Sequence, residues 1–282
     1  MAFPQIDPVA FSIGPVDVRW YGLAYMCGLL LGWLYVRRLL ASGHLFAGEK
    51  SPLQPDQADS LLLWTTLGVV LGGRLGFVLF YQPSFYFENP QDILALWKGG
   101  MAFHGGVVGT GVVMFIFARA NGAPFLSVAD LVSAAVPIGL FFGRIANFIN
   151  AEVYGRPTDV PWAIIFPKEV LLPIHEAVPR HPSQLYEAAT EGLILFAVIA
   201  YFIYARGALR WPGYVTGLFL AGYGIARIFC EFFRDFDPDR YFTLGPYLTT
   251  GMVYSLPMVL LGIYLLSTSR YRAEVAALDS AR

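Results

Sequence analysis

Residues 58–81 read ADSLLLWTTLGVVLGGRLGFVLFY. Apart from Asp59 near its start and Arg74 deep inside, the run is apolar or small, and a helix crossing about 30 Å of hydrocarbon needs ~20 such residues. Six further segments meet the same condition, at roughly 20–40, 101–119, 128–149, 184–205, 213–233 and 247–268. An outer-membrane barrel would need short segments of alternating hydrophobicity, and these runs are too long and too uniformly apolar. The whole chain agrees. Its 282 residues are 56% hydrophobic, 16% aromatic and 14% charged, against roughly 25% charged residues in an average soluble domain. The expected fold is an all-α polytopic membrane protein of seven spans. It is expected to form a single integral membrane domain over 1–282, with a small external cap at 150–183 between spans four and five.

Composition excludes a water-soluble enzyme, a disordered chain and a nucleic-acid binder, since a net charge of −1 offers no basic field for a phosphate backbone. Cys27 and Cys230 both sit in apolar stretches, which speaks against a disulfide framework. The first 19 residues hold Asp7, Asp17, Pro4, Pro8 and Pro15 rather than a basic region leading into an apolar one, so no secretory signal is expected there. Spans three and four read as the weakest. His104 and several glycines interrupt one, Arg144 and Asn147 the other, and both could be broken or re-entrant. Glycines at four-residue spacing (Gly68, Gly72, Gly76; Gly105, Gly109; Gly28, Gly32) suit close helix packing in lipid.

Orientation follows from Lys and Arg near the span ends. One side holds nine: Arg37, Arg38, Lys50, Arg119, Arg206, Arg210, Arg270, Arg272 and Arg282. The other holds seven: Arg19, Lys98, Arg156, Lys168, Arg180, Arg234 and Arg240. The bias puts the C-terminus inside and the N-terminus outside, and makes the Pro-rich 150–183 loop external. Within that loop WAIIFP, at 162–167, suggests a short strand.

Ionisable side chains inside a membrane are costly and mark functional sites. With this orientation, Tyr21 and His104 open descending spans, while Arg144, Asn147, Asn150 and Glu152 end span four on the outside. Arg227, Glu231 and Arg234 end span six on the outside, and Arg74 lies about two turns below the outer end of span two. All fall in the outer half of the bilayer, where random placement would scatter them over both leaflets. Tyr223, Arg227, Glu231 and Arg234 lie within a helical arc of about 80°, with Arg227 and Glu231 paired at i,i+4. Taken singly, that stripe could be a salt-bridged seam, the Arg144 run a capped helix end, and His104 a satisfied polar residue. Several arginines flanked by His, Tyr, Asn and Glu suit an anion at headgroup depth, because guanidinium forks onto phosphate and keeps its charge when desolvated. No metal is expected: neither H-x-x-x-H nor H-E-x-x-H occurs, and His44, His175 and His181 lie in loops. No G-x-S-x-G elbow or base-paired cysteine supports a covalent enzyme intermediate.

The run GRIANFINAEVYG at 143–155 resembles the signature of the bacterial prolipoprotein diacylglyceryl transferases. Further matches are FSIGPVDVRWYG at 11–22, GGRLGFVLFY at 72–81, GGMAFHGG at 99–106, RHPSQLYEA at 180–188 and GYGIARIFCEFFR at 222–234. The resemblance implies a seven-span inner-membrane enzyme with its N-terminus outside. Its reaction moves the diacylglyceryl group of phosphatidylglycerol to the thiol of a prelipoprotein lipobox cysteine, giving a thioether and glycerol 1-phosphate. The implied partners are phosphatidylglycerol, the lipobox segment and membrane lipids, with no cofactor. Motif matches carry over Tyr21, His104, Arg144, Asn147, Glu152, Gly155, Tyr223, Arg227, Glu231 and Arg234.

Catalytic roles are expected for His104, Arg144, Arg227, Glu231 and Tyr21. Substrate contacts are expected from Arg144, Asn147, Glu152, Gly155, Tyr223, Arg227, Arg234 and Arg74. A transporter or flippase for an anionic lipid is the competing class. It would also need polar groups in the inner leaflet, where these spans are nearly bare. A purely structural membrane subunit leaves the arginines unexplained.

Overall fold

A computed structural model of the chain describes residues 1–4, 6–167, 178–235 and 248–280, with 276–280 as backbone alone. Lys168, His175, Arg240 and Arg282, which entered the sequence reading, lie outside the described residues. The elements in chain order begin with a hairpin, β1 (Val9–Ile13) and β2 (Val16–Arg19). The helices that follow are α1 (Trp20–Leu40), α2 (Gln57–Phe80), α3 (Pro83–Glu88), α4 (Phe103–Ala120) and α5 (Phe125–Ile149). Next come α6 (Ser183–Arg206), α7 (Tyr214–Glu231) and α8 (Thr250–Ser280). The fold is all-α and polytopic.

Six of these helices, α1, α2, α4, α5, α6 and the Thr250–Val275 part of α8, are long and apolar enough to cross a membrane. Seven spans were expected. The remaining one corresponds to α7, whose 18 residues include Gly217, Gly222, Gly224, Arg227 and Glu231 and are correspondingly less apolar. Spans three and four are continuous helices, α4 and α5, rather than broken ones. WAIIFP forms isolated bridges, Ile164 to Arg180 and Ile165 to Ala2, instead of a ladder. The N-terminal hairpin is an element the sequence reading missed. It is antiparallel, turns at Gly14, and is pinned by a 2.7 Å hydrogen bond from Ser12 Oγ to Asp17 Oδ1.

The chain divides into two compact units, one comprising Met1–Tyr35 with Asp130–Arg282, the other Val36–Ala129. In the second unit α2 and α4 meet through glycine. A Cβ added at Gly72 would lie 2.4 Å from the Gly105 carbonyl oxygen, and one at Gly109 would lie 2.3 Å from that of Gly68. Only hydrogen side chains permit this approach, which in lipid replaces the hydrophobic drive that helices have in water.

In the first unit α7 is fixed at both ends. At its start buried Asp130 of α5 accepts hydrogen bonds from Gly213 N (2.7 Å), Thr216 N (2.7 Å) and Thr216 Oγ1 (2.8 Å). One carboxylate from a neighbouring helix thereby caps donors that α7 cannot satisfy itself. Beside it Arg272 of α8 donates to Pro212 O at 3.0 Å. At the other end the chain after α5 runs back over the end of α7. Gly155 N donates to His181 O (2.8 Å) and Arg156 N to Phe233 O (3.0 Å). The α5 end, the α6 start and the α7 end are thereby bound into one piece, and the polar residues converge there.

Candidate active site

Three elements of the first unit supply the cluster. From α5, Arg144 forks onto Glu191, with Nε at 3.3 Å and Nη2 at 3.1 Å from the same carboxylate oxygen. Its Nη1 lies 2.9 Å from Glu187 Oε2. From α7, Arg227 Nη2 lies 2.7 Å from Glu231 Oε2, the i,i+4 pair the sequence predicts, and its Nη1 is 3.5 Å from Glu187 Oε1. Arg234, just beyond α7, donates to Glu187 Oε1 as well. The Glu187 and Glu191 side chains are fully buried, whereas those of Arg144, Arg227 and Arg234 keep 20%, 16% and 22% of their surface exposed. The carboxylates form the back of the cluster and the guanidiniums its open face.

Sequence reasoning missed both of these glutamates. A signal was present, because two acidic residues at i,i+4 inside the apolar run 184–205 carry the same intramembrane cost that singled out the arginines. Locally, the backbone from Ala188 to Ile194 takes a π-helical turn, a feature often found at functional sites, which holds Glu191 against Arg144. Tyr223 lies among the charges of Arg144, Arg227 and Glu191.

Beside the cluster the segment after α5 turns sharply around Glu152. Ala151 and Val153, on either side of it, adopt positive φ of 52° and 58°, a left-handed conformation that costs a β-branched valine most. The strain is held by polar contacts. Asn147 Nδ2 donates to Glu152 Oε1 at 2.8 Å, Gln184 Nε2 to Glu152 O at 2.7 Å, and Ser183 Oγ to Val153 O at 3.2 Å. A cavity of about 290 Å³ opens here, lined by Glu152, Val153, Tyr154, Arg234 and Asp235. Gly155 closes the turn. A Cβ on it would fall 2.2 Å from Phe233 O and 2.8 Å from the His181 Cβ, so no other residue fits without moving the end of α7. Arg156 ties that same end down, donating to Arg234 O (3.4 Å) and Glu231 O (3.3 Å). His181 Nδ1 is 3.1 Å from the Tyr186 hydroxyl, and its protonation is disfavoured by burial and by the nearby charge of Arg156. Tyr21, at the start of α1, has its hydroxyl 3.2 Å from that of Tyr25.

The other two expected residues belong to the second unit. Arg74 is fully buried. Its donors go to backbone carbonyls of the segment after α3: Nε to Ile93 O (2.8 Å), Nη2 to Asp92 O (2.7 Å), and Nη1 to Gly99 O and to Gly100 O (3.2 Å). Its guanidinium also lies 5.1 Å from the Tyr86 ring centre. These contacts tie the segment leading into α4. His104 is the second residue of α4, its ring edge-on to Phe103 at 5.7 Å.

What the first-unit cluster can do chemically is hold an anion. The three arginine side chains stay partly exposed and each contacts the fully buried Glu187 carboxylate, and charged donors held in a low-dielectric site are worth far more than in water. The fold and cluster together define a multi-pass membrane protein with a preorganised arginine site. A family model described as prolipoprotein diacylglyceryl transferase matches residues 8–268, and the chain belongs to that family. It is similar to the phosphatidylglycerol–prolipoprotein diacylglyceryl transferase of Rhizobium meliloti, 51% identical over 98% of this chain and 96% of the relative. The like-named protein of Methylocella silvestris is 52% identical over 98% of each chain, and that of Brucella canis 50% identical over 100% of this chain and 96% of its own.

Proposed function

We propose that this protein transfers the diacylglyceryl group of phosphatidylglycerol to the thiol of a prelipoprotein lipobox cysteine, the first step of lipoprotein maturation. The gathering of Arg144, Arg227 and Arg234 about the buried pair Glu187 and Glu191 carries this reading. The thiolate sulfur attacks the glycerol carbon that bears the phosphate. A carbon–sulfur bond forms, the carbon–oxygen bond breaks with its electron pair going to oxygen, and glycerol 1-phosphate departs with two negative charges. The charge arriving as thiolate thus leaves on the phosphate. Guanidiniums aimed there stabilise the transition state more than the ground state, which is what raises a rate.

In this reading Arg144 and Arg227 clamp the phosphate and Glu231 orients Arg227, while Arg234, Tyr223 and Glu152 complete the binding surface. Tyr21 and Asn147 fix the headgroup, and Gly155 provides the close turn. The thiol must lose its proton to become the nucleophile, and His104, whose imidazole can accept one, takes the role of base. A base imposes an acidic limb on the pH profile of turnover. Activity with that limb intact in His104→Gln would move the role to another group, with Glu152 next in line.

The chain is read as one integral membrane domain of seven spans in the bacterial inner membrane, with α7 as the sixth, the 150–183 cap outside and the C-terminus cytoplasmic. Thiol labelling of a cysteine placed at Gly207 in intact cells reads this orientation, and labelling from outside would invert it. The reaction itself is tested by mass spectrometry of a lipobox peptide incubated with the purified protein and phosphatidylglycerol. A mass gain of one diacylglyceryl group on the cysteine is expected. An unmodified peptide would refute the reading.

A further inference from the structure

Glu187 has no role in the reaction just described, yet it contacts every guanidinium of the cluster. Its Oε2 lies 2.9 Å from Arg144 Nη1, and its Oε1 faces Arg227 Nη1 at 3.5 Å and accepts from Arg234 Nη1. These arginines come from α5, from α7 and from the segment beyond α7, so no helix fixes their mutual spacing. The carboxylate supplies that spacing from a third helix, and its side chain is fully buried behind them.

Charge adds a second constraint. Three guanidiniums, of Arg144, Arg227 and Arg234, meet three carboxylates, of Glu187, Glu191 and Glu231, so the ionised cluster is close to neutral. Net attraction therefore does not make it an anion site. Arrangement does, since the arginine side chains keep 20%, 16% and 22% of their surface exposed while those of Glu187 and Glu191 keep none.

We propose that Glu187 is a positioning residue that spaces the three guanidiniums for the departing phosphate, while its negative charge weakens the binding of a resting anion. The repulsion acts on the resting and the departing phosphate alike, so it is the spacing of the donors, set for the departing phosphate, that separates transition state from ground state. The proposal rests on the arginine cluster being the phosphate site of the transfer reaction.

The test uses the full-length protein in lipid nanodiscs with phosphatidylglycerol and a lipobox peptide, and reads turnover, inhibition by glycerol 1-phosphate and thermal midpoint. Glu187→Gln removes the charge and loosens the spacing. Turnover should fall by about ten-fold or more, while glycerol 1-phosphate should inhibit more tightly, on the order of ten-fold. Glu187→Asp keeps the charge but withdraws the carboxylate by one methylene. It should lower turnover while leaving inhibition near the wild-type value. A residue that merely supports the fold would weaken both activity and anion binding in step with the thermal midpoint. That pattern, or turnover of Glu187→Gln within two-fold of wild type, would overturn the proposal. If Glu187→Gln does not accumulate, normal turnover of Glu187→Asp overturns it and lowered turnover with unchanged inhibition supports it. Absence of transfer by the wild-type protein would instead refute the transfer reaction itself.

Discussion

The guanidinium of Arg144 meets the carboxylate of Glu187 at 2.9 Å, with the carboxylate fully buried and the arginine one-fifth exposed. That asymmetry gives the pair a direction. The glutamate is enclosed by the protein, while the arginine, whose Nε, Nη1 and Nη2 all contact glutamates, keeps part of its surface exposed. The same relation holds for Arg227 and Arg234 against the same residue.

Lysine at position 144 or 227 keeps the charge but loses the fork. An ammonium cannot contact two carboxylates (Glu187 and Glu191 at 144, Glu187 and Glu231 at 227) while also presenting a planar edge to phosphate. Arg144→Lys and Arg227→Lys are each expected to lose about 10²–10³ in turnover. Peptide lipidation by the purified variants measures this, and near-normal rates in both would exclude a bidentate clamp.

Gly155→Ala tests the turn. The added methyl would sit 2.2 Å from Phe233 O, so the hydrogen bonds from Gly155 N to His181 O and from Arg156 N to Phe233 O cannot both survive. A shift of about 1 Å at the end of α7 is enough to lower turnover ~10²-fold. Loss of turnover in a protein that is still folded is the expected outcome. Wild-type kinetics would show that the turn does not position Arg234.

Arg74 is assigned to holding its loop. Arg74→Ala removes the guanidinium donor from the carbonyls of Ile93, Gly99 and Gly100 and leaves that of Asp92 with Ala95 N alone. Limited proteolysis should then cut between residues 81 and 102 faster than in the wild type. Inhibition by glycerol 1-phosphate should change little, since the arginine spends its donors on backbone. A large loss of anion binding with the loop still protected would return Arg74 to the substrate.

His181 should make the protein weaker in acid. Burial and Arg156 lower its pKa from the ordinary value of 6.5, so the unfolded chain binds its proton more readily than the folded one. The stability this provides is present above pH 6.5 and is lost as pH falls through the lowered folded value. The thermal midpoint should drop on going from neutral to acidic buffer, and His181→Gln should flatten that slope. An unchanged slope in the variant would assign the acid sensitivity to other groups.

The spans were largely legible because hydrocarbon leaves a chain few choices. The run 58–81 became Gln57–Phe80 and 128–149 became Phe125–Ile149. The Arg227–Glu231 pair was legible because i,i+4 neighbours on a helix must meet. Glu187 and Glu191 were less legible because hydropathy dominates their helix, and its π-helical turn has no sequence period of its own. The backbone contacts of Arg74 were not legible for a different reason. Its partners are carbonyls 18 to 26 residues away, and every residue type has a carbonyl, so no side chain announces the contact. The hairpin of β1 and β2 is too short for an alternating pattern to stand out beside Pro15.

The central claim is that sulfur displaces phosphate at the glycerol carbon, with the phosphate leaving toward the arginines. Phosphatidylglycerol carrying oxygen-18 in the bridge between that carbon and phosphorus tests it directly. After transfer to a lipobox peptide, mass spectrometry of the released glycerol phosphate should find the label in full, and the lipidated peptide should carry none. Label retained on the peptide's lipid, or released as labelled diacylglycerol, would show cleavage on the phosphorus side and contradict the account.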